Sequence, residues 1–144
     1  MPDKCLRKTE MMNHKTLTII LAAVLSLACC TDSNDIEAIQ ERAGKTAEAY
    51  YTHLINGNYA DFVAGMDRAD SIPADYREQM EANAAMFMKQ NDDHKGISSI
   101  TLSKCKADTA NHTAEAFLVI EYKDKVSEVV CVPMVERAGN WYMK

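Results

Sequence analysis

The sequence contains no CxxC pair, and its cysteines and histidines do not fall at the spacing of a zinc site. Phosphate-loop, dinucleotide-binding and zinc-protease patterns are missing as well, so those chemistries have no support in the sequence. A basic stripe, the electrostatic footprint of nucleic-acid binding, is also missing. Lys+Arg total 16 against 21 Asp+Glu, a formal net charge of −5. No nucleic-acid partner, no metal and no cofactor are therefore expected. No internal repeat, low-complexity segment or second domain is legible. The longest apolar run, Leu17 to Ala28, is too short to span a bilayer, which takes about 20 residues.

That run is nonetheless the most informative stretch. Met12-Asn13-His14-Lys15 gives it a short basic start, and Leu27-Ala28-Cys29-Cys30 ends it with small residues and a thiol. A charged start, a short apolar stretch and a small-residue end make a secretory signal. The ending resembles the lipobox of bacterial lipoproteins, in which a Cys after a Leu-small-small triplet receives lipid and becomes the first mature residue. Cys30 has Leu27 three positions before it, whereas Cys29 has Ser26 there and fits less well. Cys30 is the expected lipidation site; an ordinary cleaved signal with an incidental Cys pair is the alternative. The resemblance implies a diacylglycerol anchor, usually with a third chain. Each buried CH₂ is worth ~0.8 kcal/mol, so several chains hold where one is marginal. The expected partner is the lipid bilayer and the expected location the cell envelope, with the outer membrane favoured and its periplasmic or surface side open.

The organisation read from this is residues 1–29 as an upstream extension and signal, 30–35 as the lipidated Cys and a polar tether, and 36–144 as one domain. Met12 is the natural start of the signal, and Met1 to Met11 precede it. The first 29 residues carry four cations and two carboxylates, so removing their +2 from −5 leaves about −7 on the 115-residue remainder. That length supports one domain with a real core. The charge favours solubility over binding to bare anionic lipid.

Within the domain the apolar period changes once. Asn34 and Glu37 have capping-box spacing ahead of Ile36, Ile39, Ala43, Ala47, Tyr50 and Leu54, one face of a five-turn helix. Gly57 is placed to end it left-handed. Asn58 can cap a second, short helix carrying Tyr59, Phe62, Val63 and Met66. Pro73 opens a third, whose buried face should hold Tyr76, Met80, Ala84 and Phe87. Asn91-Asp92-Asp93 and Gly96 should close the helical half. The period then falls to 2, with strands at Ile97 to Lys106, Thr113 to Lys123, Val126 to Arg137 and Trp141 to Met143. Asp124 and Gly139-Asn140 mark the turns. Helices first and an antiparallel meander second make an α+β fold.

Two stretches resemble a known family. Tyr50-Tyr51-Thr52-His53-Leu54-Ile55-Asn56-Gly57-Asn58-Tyr59 resembles the opening of nuclear-transport-factor-like cone domains, and Gly139-Asn140-Trp141-Tyr142 resembles their Gly-x-Trp last strand. The group includes ketosteroid isomerases and polyketide cyclases (SnoaL-like), and small lipoproteins of unknown function described as lumazine-binding-like. The resemblance covers Ile36 to Lys144. It implies N-terminal helices packed on a curved antiparallel β-meander, a cystatin-like cone.

An enzyme of that family needs titratable groups inside the cone; in ketosteroid isomerases these are an Asp base, a Tyr and a protonated Asp. With Asp124 at the hairpin centre, Leu118 should face Val130, Ala116 Val132, Ala114 Met134 and Ile120 Glu128. The face toward the helices is then aliphatic apart from Tyr122 and Glu128, with no Asp or His on it. No catalytic residue is assigned. His53, Asp61 and the Asp92-Asp93-His94 stretch read better as structural or solvated residues than as a base or metal ligands. Tyr50, Tyr76, Met80, Phe87 and Tyr122 are the candidate cavity lining, with core filling as the alternative. The expected role is non-catalytic, binding a small apolar ligand in the cone or a protein on the sheet. A small-molecule isomerase, dehydratase or cyclase of the same fold is the alternative.

On the outer sheet face Phe117, Val119, Val129 and Cys131 should cluster within a polar rim, a candidate surface for a protein partner or a homodimer. Helix 1 or the tether folding over that face is the other reading. Cys105 should lie opposite Ala114 or Glu115 and Cys131 opposite Phe117. Strands ~4.8 Å apart then put the thiols about 10 Å apart, beyond the ~7 Å reach of a disulfide. Two free thiols are expected. Asp70-Ser71-Ile72 and Asp108-Thr109-Ala110 resemble the acceptor triplet of O-glycosylation in some Gram-negative anaerobes, both in connections expected to be exposed.

Overall fold

A computed structural model describes residues 33–90 and 96–144. The signal, Cys29, Cys30 and the stretch from Asn91 to Lys95, with its acidic-histidine triplet, lie outside the described residues. Among the described residues no helix is long and apolar enough to cross a membrane.

Helix α1 spans Ser33–Ile55 and buries Ala43, Gly44, Ala47 and Leu54. Ser33, Asn34 and Asp35, assigned to the tether by sequence, are already helical, with Asp35 where the positive end of the helix dipole favours a carboxylate. Gly57 ends the helix at φ +77°, and the Asn58 N–H returns to the His53 carbonyl at 2.9 Å. Helix α2, Tyr59–Ala64, has Asn58 at its N-cap, but the Asn58 side chain makes no capping bond. Only its backbone carbonyl serves, accepting from the Phe62 N–H. A left-handed Arg68 and a short 3₁₀ turn, Ala69–Ser71, lead to α3, Ala74–Gln90, directly after Pro73.

Strands β1 (Ile97–Asp108), β2 (Thr113–Tyr122), β3 (Ser127–Arg137) and β4 (Asn140–Met143) form one antiparallel sheet in sequence order. The β2–β3 register pairs Ala114 with Met134, Ala116 with Val132, Leu118 with Val130 and Ile120 with Glu128, as the alternation requires. In β1 the chain bulges between Leu102 and Lys104. Cys105 then pairs with Ala116, further along β2 than expected, because pairing continues to Asp108–Thr113. Asp108 holds that tighter connection, accepting from the Asn111 N–H and side-chain amide. The Leu102 N–H at the bulge donates to Glu48 of α1 at 3.1 Å. A strand edge disturbed by a bulge thus finds its acceptor on the helix that covers it.

The core lies between α1 and the inner sheet face, where Ala43 and Ala47 meet Ala116, Leu118, Met134 and Trp141. Gly44 brings the helix so close that an added Cβ would stand 2.6 Å from a Leu102 methyl and 3.2 Å from the Cys105 Cβ. The chain after α2 closes the β4 edge: Met143 N–H donates to Gly65 O at 2.8 Å and Asp67 N–H to Met143 O at 2.7 Å. Arg137 grips the Asp67 carboxylate bidentately at 2.9 and 2.8 Å. Cys105 and Cys131 are free thiols on opposite faces, separated by β2.

Candidate functional site

Helix α3 packs on α2 and lightly on α1, and it stands off from the sheet. The gap is an open groove of about 480 Å³. Tyr76, Met80, Ala84 and Phe87 form one wall at helical spacing, and Ile120 and Val130 of the sheet form the other. Tyr51 and Leu54 of α1 with Phe62 and Met66 make the floor, where the Tyr51 and Phe62 rings meet edge-to-face at 5.7 Å. Burial pushes the Tyr51 hydroxyl above its usual pKa, which keeps it a neutral donor. A further hollow of about 350 Å³ continues the groove past Met66 and Met80 to Val132, Pro133 and two charged residues, Lys144 and Asp67, the latter held by Arg137.

The structure brings Tyr76, Met80 and Phe87 together here, but not as core. Tyr76 is 55% and Phe87 46% exposed, and of α3 only Ala84 is buried. The expected buried face of this helix is instead the wall of an open groove, because its bulky residues hold it off the sheet.

Two other candidates are elsewhere. Tyr50 packs its ring on Gly65, where an added Cβ would stand 2.4 Å away, and its hydroxyl donates to the Trp141 carbonyl at 3.1 Å. Tyr122 is buried on the inner sheet face and donates to the Glu128 carboxylate; neither residue is in the groove lining, although each stands two positions along its strand from one that is. Burial first, then Glu128, pushes its pKa up to about 12.

Sequence reasoning passed over Tyr51 as a lining residue. Consecutive helical residues are about 100° apart, so Tyr50 and Tyr51 flank the Ala47–Leu54 line on opposite sides. One meets the β4 edge and the other the groove. The Tyr-Tyr pair beside that line was the available signal.

His53 stands beside Asp61 at 3.8 Å, both largely solvated. On the outer sheet face Phe117 pairs with Cys131 and Val119 with Val129. Val129 is 64% exposed, and Lys104 covers the Phe117 ring at 4.8 Å from its centroid. The helices pack on the opposite face, so α1 does not fold over this one. Ser71 and Thr109, the hydroxyls of the two triplets, are exposed.

A crystal structure from Campylobacter jejuni, described as an NTF2-like transpeptidase, superposes with a TM-score of 0.52 at 13% identity over 69% of this chain and 94% of that one. The chain has the NTF2-like cone fold. No protein-family model matches it, and no curated protein matches it. In NTF2-like terms the groove is the mouth of the cone between helices and sheet. Its wall here is aromatic and aliphatic, with the Asn83 amide the one polar group besides the tyrosine hydroxyls among the described residues.

Proposed function

We propose that this chain is a membrane-anchored envelope lipoprotein whose cone binds a small apolar ligand without altering it chemically. One observation carries the reading: among the described residues the main groove has no carboxylate, imidazole, lysine or arginine in its lining. Proton transfer needs a titratable group within hydrogen-bond reach of the reacting atom. Covalent transfer, transpeptidation included, needs a nucleophile beside a base. No serine, threonine or cysteine lines the groove either. What it offers is apolar area with three orienting groups, Tyr51, Tyr76 and Asn83, the usual make-up of a binding pocket.

Nile red titrated into the full chain tests this. Phe87→Asp and Tyr76→Asp should each weaken dye binding about tenfold, since burying a charge against an apolar ligand is costly. Thermal unfolding should stay where it was, because both residues are half-exposed. Val129→Asp on the outer face should leave dye binding intact. Undiminished binding in both groove variants would end the proposal.

The anchor is a separate element of the reading. Cys30→Ala should abolish incorporation of a tagged fatty acid and Cys29→Ala should retain it; label persisting in the Cys30 variant removes the anchor. The exposed Val129–Cys131 patch supports a second reading, a protein partner or second copy on the sheet. If the patch self-associates, Val129→Arg should shift the sedimentation of the chain toward monomer.

A further inference from the structure

A second hollow, separate from the groove, lies where α1 passes the β4 edge, and its volume of about 560 Å³ suits a small molecule. Arg42 and Lys45 of α1 stand on one side, with Asn140, Trp141 and Tyr142 of β4 on the other and Tyr50 beneath. Among the described residues its wall holds two cations and no carboxylate, in a chain whose net charge is −5. Arg42 is only loosely engaged. Its guanidinium reaches Glu136 at 3.8 Å, and that carboxylate already has His112 at 3.1 Å. Lys45 is held by Glu48 at 2.8 Å, one turn along. A guanidinium fork matches a carboxylate bidentately, and the single long contact to Glu136 leaves most of the Arg42 fork for one.

The aromatic side of the hollow points to the rest of the ligand. Three aromatic residues, Tyr50, Trp141 and Tyr142, contribute to its lining, and flat apolar bodies pack on aromatic walls. We propose that this hollow binds a small organic anion, a carboxylate on a flat apolar body. The carboxylate lies between Arg42 and Lys45 and the flat part against Trp141 and Tyr142. The main groove, by contrast, has no charged side chain in its lining among the described residues, so the two sites select different chemistry.

Trp141 is the single tryptophan of the chain and lines this hollow as well as the core, so its fluorescence and its indole N–H resonance report on its surroundings, the hollow among them. Benzoate supplies ring and charge, benzyl alcohol the ring alone, and inorganic phosphate the charge alone. Titrated into the full chain, benzoate should shift both signals saturably. The two controls should bind at least about tenfold more weakly, the worth of one charge-assisted contact. Arg42→Gln and Lys45→Gln should each weaken benzoate about tenfold with thermal unfolding unchanged, and Tyr76→Asp should leave it bound. The proposal fails if either control matches benzoate, if neither substitution weakens it, or if the benzoate titration is flat.

Discussion

Helices α1 and α3 carry apolar residues at the same helical spacing, yet one is scaffold and the other the wall of a site. The difference lies in side-chain size at the contact. α1 presents Ala43, Gly44 and Ala47 to the sheet, all fully buried or nearly so, and its axis comes close enough for Gly44 to touch Leu102. α3 presents Tyr76, Met80 and Phe87, which keep it at a distance and leave the groove open. Interaxial distance follows the residues at the crossing. Small residues close a helix onto a sheet; large ones hold it away and make room for a ligand.

The largest expected effect comes from truncation on the two sides of this divide. Leu118, fully buried beneath α1, should cost about 2–5 kcal/mol when changed to Ala, because a cavity remains in a packed core. Phe87→Ala removes a larger side chain from α3 but should cost under about 1 kcal/mol, since half of it is already in water. Urea unfolding of both variants measures the contrast. Equal losses would break it and make α3 part of the core.

Next in size is Gly44→Ala, where two effects oppose. Alanine favours a helix interior by about 1 kcal/mol over glycine. Against that, its Cβ would press on Leu102 and Cys105, and overpacking typically costs about 1–3 kcal/mol. Net destabilisation of about 1 kcal/mol is expected. A stabilised variant would show that Leu102 swings aside and that α1 is less closely seated than its glycine implies. The reverse substitution, Ala82→Gly on the exposed side of α3, should cost about 1 kcal/mol by propensity alone.

These contrasts also explain what the sequence made legible. Alternation in Ala114 to Tyr122 placed every inner residue of β2 and its β3 partner, because a one-residue slip would turn the apolar set to water. Along β1 the same reasoning reaches only as far as Leu102, because the bulge at Ser103 resets the alternation and no local residue type announces it. At α3 the helix and its apolar face were legible, but not that the face would be only half covered. Coverage depends on how closely α3 meets the sheet, and that follows from the bulk of Tyr76, Met80 and Phe87 where the two meet, not from the period of the apolar residues. Tyr50 and Tyr51 show the limit most sharply: adjacent in sequence, they serve the β4 edge and the groove. The wall of the second hollow, drawn from α1 and the last strand, had no contiguous signature at all.

Alkaline titration tests the inner sheet face in turn. Tyr122 has a folded-state pKa near 12, above the ordinary 10 of the unfolded chain. Between those values the unfolded chain has released the phenolic proton and the folded chain still holds it, so stability falls as pH rises. Tyr50 and Tyr51 are shifted the same way by burial and add to the fall. Tyr122→Phe should flatten the loss between about pH 10 and 12. An unchanged slope would mean that Tyr122 is open to water.

The smallest effect is expected at the clamp that fastens the chain after α2 to the β3–β4 turn. Arg137 grips Asp67 and holds its carboxyl below the usual pKa of 3.8, with Arg68 adding to the pull. A depressed carboxylate contributes stability that is present above its unfolded pKa and is lost as pH falls through the lower, folded value. The contribution should therefore be complete at neutral pH and fade only below about pH 4. Because the pair is solvated, salt should weaken it as well. Asp67→Asn should lower stability slightly at pH 7 and converge with the parent in acid, read as the difference between their urea midpoints across the pH range. The Asp67 N–H also donates to Met143, a bond the substitution leaves in place, so the edge of β4 stays closed in both proteins. A difference that persists unchanged into strong acid would assign the effect to packing around Asp67 rather than to its charge.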